Sequence, residues 1–237
     1  MKKQPYQFGL LIITSLLLVS CGGLIRAIER MEAHNAAEQA AFQAALAAQE
    51  EATMVAAATA VRETGVVIDG IRWATRNVGA PGTFVNTPGD LGMFYQWNRT
   101  GSWNTGGGPM GFNDWDRSVA RREWNVNNDP CPEGWRMPTQ TEFESLLDSG
   151  SEWTIRNGVR GRLFGSSPYQ IFLPIAGFRL SNTGGLFAEN THGAYWSSTP
   201  HESIATAAMN LHFNDRDITV RGHHNAHGFN VRCVAKN

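Results

Sequence analysis

The sequence lacks any imbalance of charge. Its 20 Lys and Arg stand against 21 Asp and Glu for a net charge of −1, and only 17% of the 237 residues are charged. After position 64 the basic and acidic side chains number 15 each, so that segment carries no electrostatic footprint for nucleic acid or anionic lipid. It also lacks a membrane-length apolar run: the uncharged stretch Phe8–Val19 has 12 residues, too few for a bilayer core of about 30 Å. Recognisable catalytic motifs are missing as well. Gly106-Gly107-Gly108 is followed by Pro109, which removes a donor, and no Lys-Ser/Thr completes a phosphate loop. His201-Glu202-Ser203-Ile204-Ala205 has Ala where a zinc-protease signature needs its second His. No Gly-x-Ser-x-Gly elbow occurs. No enzyme activity and no cofactor are therefore expected. Cysteine is scarce, with three residues at 21, 131 and 233.

Residues 1–20 read as a lipoprotein signal peptide. Lys2 and Lys3 form a basic start, the apolar stretch follows, and Leu18-Val19-Ser20-Cys21 resembles a bacterial lipobox. On that reading Cys21 is acylated. Several acyl chains, at about 0.8 kcal/mol per buried CH₂, anchor a protein stably where one does not. Gly22 and Gly23 follow the cysteine in place of an Asp retention signal, so the expected home is the bacterial outer membrane. From Leu24 to Thr64 there is neither Gly nor Pro, and Ala, Glu, Gln and Arg dominate. These are strong helix formers, which makes 21–63 a lipid-anchored helical stalk. A seam through Leu24, Ile28, Met31, Asn35, Glu38, Phe42, Ala45 and Gln49 carries three polar residues. Both a homo-oligomeric coiled coil through 24–63 and a solitary tether remain open.

Residues 64–237 have another texture, holding all eight Trp and 22 of the 25 Gly. Val66-Val67-Ile68, Asp69-Gly70 and Ile71–Ala74 predict a hairpin. Residues 98–118 form a Gly/Asn/Trp loop longer than compact domains carry without a functional reason. Thr139 with Glu142 is a capping box ahead of Phe143, Leu146 and Leu147 on one face, predicting a helix; a second helix is expected over Ser118–Trp124. Leu211 and Phe213 alternate with Asn210, His212 and Asn214, and Phe229, Val231 and Cys233 with Asn230 and Arg232, predicting strands with one apolar face. With Cys21 acylated, Cys131 and Cys233 are the remaining thiols of an exported chain. A disulfide closing a 102-position loop is the leading reading, worth about 4.7 kcal/mol in the chain-entropy model, with a catalytic or metal-binding thiol pair as the alternative.

Five ordered blocks carry a family resemblance: residues 68–79 (IDGIRWATRNVG), 92–97 (GMFYQW), 129–139 (DPCPEGWRMPT), 193–199 (GAYWSST) and 228–234 (GFNVRCV). Over about 65–236 the chain resembles the Fibrobacter succinogenes major paralogous domain, a C-type-lectin-like, formylglycine-generating-enzyme-like fold of surface lipoproteins. The resemblance implies an α+β domain whose irregular, loop-rich half displays a ligand-binding surface, preceded here by the stalk. Related lectin-fold proteins include the variable proteins of diversity-generating retroelements, and 201–227 has the mixed Asn, His, Asp and Thr texture of their diversified stretch. Lectin calcium motifs are missing: Trp103-Asn104 and Trp124-Asn125 lack the following Asp.

Six of the seven His fall in the last 46 residues. With Leu211, Phe213, Ile218, Val220, Phe229 and Val231 assigned to the core, the residues facing outward are His201, Glu202, Asn210, His212, Asn214, Asp215, Asp217, Thr219, Arg221, His223, His224, Asn225 and His227. These form the candidate surface for a glycan or protein ligand, and the other reading makes them the solvated side of a sheet. No metal is assigned, because imidazoles in a Gly/Asn-rich loop share no fixed face. Trp103 and Trp115 are either stacking anchors for a ligand or plugs of the loop half.

Overall fold

A computed structural model of the chain describes residues 7–105, 115–118 and 122–236, with side chains given for 23–53 and from 65 onward. It divides into two compact units, 1–58 and 59–237. The described residues of the first all lie in helix α1 (Gln7–Thr64), whose last turns fall in the second. The helix continues through Gly22 and Gly23 instead of beginning at Leu24, and it stops at Gly65, whose φ of +76° is the left-handed turn that ends helices. The stalk therefore forms as one helix, with every side chain from 23 to 53 exposed. The side chain of Cys21 lies outside the described residues.

Among its described residues the second unit is α+β, built from four small antiparallel sheets and one α-helix. β1 (Val66–Ile68) and β2 (Ile71–Asn77) make the predicted hairpin, with Asp69 and Gly70 both at positive φ, 48° and 77°, as a two-residue primed turn requires. With β5 (Trp135–Arg136) and β15 (Arg232–Ala235) they form a sheet in the order β1-β2-β15-β5. β3 (Phe94–Gln96), β4 (Ser102–Trp103), β9 (Phe178–Arg179), β10 (Leu186–Phe187) and β14 (Gly228–Phe229) form a second, ordered β10-β9-β14-β3-β4. β6 (Ser151–Arg156), β7 (Val159–Ser166) and β8 (Tyr169–Pro174) make one meander, and β11 (Gly193–Pro200), β12 (Ala207–Phe213) and β13 (Ile218–His224) another.

Helix α2 (Gln140–Asp148) starts as its sequence dictates. Thr139 Oγ1 accepts from Glu142 N, and a Glu142 carboxylate oxygen accepts from Thr139 N at 2.7 Å. Its Phe143 and Leu146 are buried with Trp73, Phe164, Leu211, Phe213 and Tyr195 in one core cluster. The other expected helix does not form among the described residues: Arg122–Trp124 is irregular, a short 3₁₀ turn occupies Val126–Asn128, and 119–121 lie outside the described residues.

Sheet β11-β12-β13 lies between two cores, which corrects the one-sided reading of its strands. Tyr195, Leu211, Phe213, Ile218 and Val220 pack with the first cluster, whereas Ala194, Trp196 and Ala208 belong to a second with Trp97, Phe178, Phe229 and Cys233. The alternation is real, but the polar face is covered. Asn210 and His212 are buried, as are Asn225, Asn230 and Arg232. Phe229 stacks on Trp196 with centroids 4.2 Å apart, and that aromatic layer keeps water from the second face.

Cys131 and Cys233 are joined, with Cα atoms 6.1 Å apart, so the segment before β5 is fastened to the last strand. Where regular pairing is sparse, arginines supply the missing donors. Buried Arg179 donates to Gly184 O and Asn104 O, each at 2.8 Å. Arg162 Nε donates to Asn214 O at 3.1 Å, fixing the β12–β13 turn against β7.

Candidate functional site

The hairpin β12–β13 sorts the thirteen outward-assigned residues along its length. Phe213 faces Ile218 at the turn end and Ala207 faces His224 at the open end, a separation of about 20 Å at roughly 3.3 Å per residue. At the turn end Asn214 is structural: its Oδ1 accepts from Arg216 N and Asp217 N, both at 2.7 Å. Asp215 and Asp217 are exposed there, and Thr219 is half-buried beside His212 in register. His201 stands apart, its Nδ1 accepting from Ser203 N at 3.1 Å while its ring lies so close to Gly222 that a Cβ there would collide with it. Glu202 is exposed, and its carbonyl accepts from the Arg122 guanidinium. None of these belongs to the convergent cluster.

The remaining histidines do converge. His192, on the approach to β11, His212 on β12, His223 and His224 on β13 and His227 in the turn before β14 form a chain of rings. Successive centroids lie 5.2 Å (His192–His212), 5.3 Å (His212–His223), 5.8 Å (His223–His227) and 6.5 Å (His224–His227) apart. Phe178 touches His212, His227, Phe187 and Phe229, at 5.5–6.0 Å between centroids. His192, Phe178 and Phe187 are the components that sequence reasoning missed. Nothing local marks them, since they enter from the segment 178–192, which folds beside the hairpin.

Hydrogen bonds fix the chemistry of this imidazole–aromatic cluster. A guanidinium can only donate, so Arg221 Nη2, 3.0 Å from His212 Nδ1, makes that nitrogen an acceptor and puts the ring proton on Nε2. The Asn210 amide lies 2.9 Å from His223 Nδ1 and also donates to Arg221 O at 2.7 Å. Burial, followed by the Arg221 charge, pushes His212 down to about 3 and His223 to about 4. Burial also lowers His227. These rings are neutral at physiological pH, each able to donate from one nitrogen and accept at the other. Arg221 is exposed at the rim, and His192, His223, His224 and His227 are half-buried. Among the described residues no three His, Cys, Asp or Glu side chains converge as a metal-ligand set.

Trp115 is buried, correcting its placement among the exposed candidates. Its Nε1 donates to Ser181 O at 3.0 Å. The indole lies where a Cβ on Gly184 or Gly228 would stand, at 2.7 and 2.9 Å from its ring atoms, so the absence of side chains at those positions admits it. Half-buried Trp103 packs on it, with centroids 4.6 Å apart. A cavity of about 560 Å³ is lined by Trp124, Asp129, Arg136, Thr139, Ser198 and Lys236, and its acidic and guanidinium groups are already engaged. The Asp129 carboxylate accepts from Cys131 N and Met137 N, and Arg136 is bidentate on Glu142.

A disulfide-closed α+β domain of short sheets, with a solvent-edged cluster of imidazoles over an aromatic layer, is the class of protein these features define. Residues 90–235 match the family model of the Lcl C-terminal domain, and the chain belongs to that family. No curated protein and no solved structure matches it.

Proposed function

We propose that the chain is a lipoprotein anchored in the bacterial outer membrane through Cys21, and that its C-terminal unit is a non-enzymatic, C-type-lectin-like ligand-binding domain of the adhesin or receptor kind. The family match and the resemblance to the Fibrobacter succinogenes major paralogous domain support the reading. The observation that carries it is the convergence of His192, His223, His224 and His227 with Arg221 at one rim. Side chains from three segments meet there, each positioned by a local hydrogen bond: His192 with Thr191, His223 with Asn210, His224 with Ala226 N and His227 with His224 O. Imidazoles over Phe178 and Phe229 offer hydrogen-bonding nitrogens and apolar surface together, the mixture that recognises a protein or glycan surface. Retroelement diversification, if it acts on 201–227, is confined to exposed positions such as Glu202, Asp215, Asp217 and Arg221, because Asn210, His212 and Asn225 are buried. The test is a glycan and protein array probed with the detergent-solubilised full chain and with a His192→Ala/Arg221→Ala/His224→Ala variant. Loss of the array signal in the folded variant supports the assignment, and an unchanged signal removes it.

A second reading, a structural envelope component assembled through the stalk, is favoured by one observation. Leu24, Ile28, Met31 and Phe42 are exposed along a single 4-3 register of α1. Sedimentation of the full chain in detergent distinguishes a monomer from a stalk-mediated oligomer.

A further inference from the structure

Strand β6 (Ser151–Arg156) is an open edge, since the sheet order β6-β7-β8 pairs it on one side alone. The register decides which of its peptide groups face that edge. Gly165 N donates to Gly150 O at 3.0 Å, and Arg156 faces Val159 across the Asn157-Gly158 turn. Hydrogen-bonded and non-bonded pairs alternate along an antiparallel ladder, so residues 152, 154 and 156 turn their N–H and C=O groups to β7. Residues 151, 153 and 155 turn theirs outward. Among the described residues no backbone group pairs with them there.

Proteins blunt such edges with proline, a bulge or charge. β6 has no proline, and its six pairs with β7 run without a register shift. Its charges are Glu152 and Arg156, both exposed and, among the described residues, without an ion-pair partner. They share one face of the strand but stand about 13 Å apart along it, too far to pair with each other. Thr154 lies midway between them.

That spacing is self-complementary. An antiparallel second copy of β6, related by a two-fold axis beside Thr154, sets each Glu152 opposite the other copy's Arg156. On the opposite face Ile155, 60% exposed, meets the other copy's Trp153, an aromatic and β-branched pair of the kind that stabilises sheets. The outward groups fall in phase as well. Trp153 and Ile155 become hydrogen-bonded partners that exchange both N–H···O bonds, and the Glu152–Arg156 pairs are the non-bonded kind with closer side chains. Moving the axis to residue 153 or 155 keeps that phase but sets Glu152 or Arg156 against Thr154, and a parallel copy in register sets Glu152 on Glu152. The charges thus select one partner and one register instead of forbidding pairing.

We propose that β6 is a self-docking edge, through which two copies of the C-terminal unit join by antiparallel strand addition centred on Thr154. The contact is separate from the stalk and from the imidazole cluster and rests on neither assignment. The test uses the detergent-solubilised full chain carrying Cys21→Ser, so that an introduced cysteine is the one thiol outside the Cys131–Cys233 bond. Disulfide-linked dimer is read by non-reducing electrophoresis after mild oxidation. Thr154→Cys should crosslink to itself, because non-bonded partners stand about 4.5 Å apart at Cα. Glu152→Cys should not crosslink to itself, its two copies lying about 13 Å apart along the strands, but it should crosslink to Arg156→Cys when the two are mixed. Adding Glu152→Arg to Thr154→Cys should lower the dimer yield about tenfold, since both ion pairs turn to repulsion. Adding Glu152→Arg/Arg156→Glu should restore it to within twofold. If Thr154→Cys fails to fold, the mixture of Glu152→Cys and Arg156→Cys, both at exposed positions, decides alone. Absence of crosslinking, self-crosslinking of Glu152→Cys equal to that of the mixture, or a Thr154→Cys dimer indifferent to Glu152→Arg overturns the proposal.

Discussion

Asn77 Oδ1 accepts two hydrogen bonds from the guanidinium of Arg232, from Nε at 3.0 Å and from Nη2 at 2.7 Å, across 155 positions of sequence. Arg232 is fully buried, and its other donors reach Ala74 O at 3.1 Å and Phe172 O at 3.0 Å. These hydrogen-bond partners are all neutral oxygens, and burial pulls the guanidinium down to about 10. Asn77 also donates from Nδ2 to Leu91 O and to Tyr195 Oη. One amide thus connects β2, β15, β11 and the loop before β3.

Removing that amide should be costly. Asn77→Ala leaves the buried, charged Arg232 Nε without an acceptor and Nη2 with Phe172 O alone, and such losses run to about 3 kcal/mol. The double variant Asn77→Ala/Arg232→Met should be less destabilised than the sum of the singles, by about 1 kcal/mol or more, since the uncompensated charge is gone. Urea unfolding of the four proteins measures the coupling; strict additivity would show that the two residues do not act as a pair.

The Cys131–Cys233 bond ties β15 to the chain just before β5. Its removal as Cys131→Ala/Cys233→Ala should lower stability by about 2–5 kcal/mol. Urea unfolding of that variant beside wild type measures the loss, and alkylation of two thiols without prior reduction would refute the pairing.

The lipobox reading makes Cys21 the whole of the anchor, because the domain after position 64 has balanced charges and no electrostatic substitute. Cys21→Ser should move the protein from the detergent phase to the aqueous phase in a partitioning experiment. Retention in the detergent phase counts against lipidation.

Features whose cause is local are the ones legible in sequence. Asp69-Gly70 forces a primed turn, and the Thr139/Glu142 capping box starts α2 at the expected residue. Asn157-Gly158 turns β6 into β7 by the same chemistry, φ 49° and 79°, although the flanking strands lack the clean alternation that would draw attention to it. The period of β12 is likewise readable, with Leu211 and Phe213 on one face and Asn210 and His212 on the other. What covers the second face is not readable, because Phe178 and Phe229 arrive from distant segments and turn an apparent solvent side into a second core. Burial of Trp115 depends in the same way on Gly184 and Gly228, which no local pattern connects to it.

The imidazole cluster makes stability depend on pH in a defined direction. His212 and His223 have folded values of about 3 and about 4, below the ordinary value of roughly 6.5 that the unfolded chain retains. The unfolded state therefore takes up protons first as the medium is acidified. The contribution of each ring is complete above about pH 6.5, declines as pH falls, and levels off below its folded value. The limiting slope for one group is about 1.4 kcal/mol per pH unit, and mutual repulsion spreads the two titrations, since protonated His212 faces Arg221, His223 and His192. Urea unfolding at pH 7.5, 6.0 and 5.0 should show the unfolding free energy falling across the series. His212→Gln, which keeps hydrogen-bonding capacity without a titrating ring, should flatten the slope even if it lowers stability at pH 7.5. A slope unchanged in that variant would mean that other groups control the acid limb and that the His212 ring is not held neutral by its surroundings.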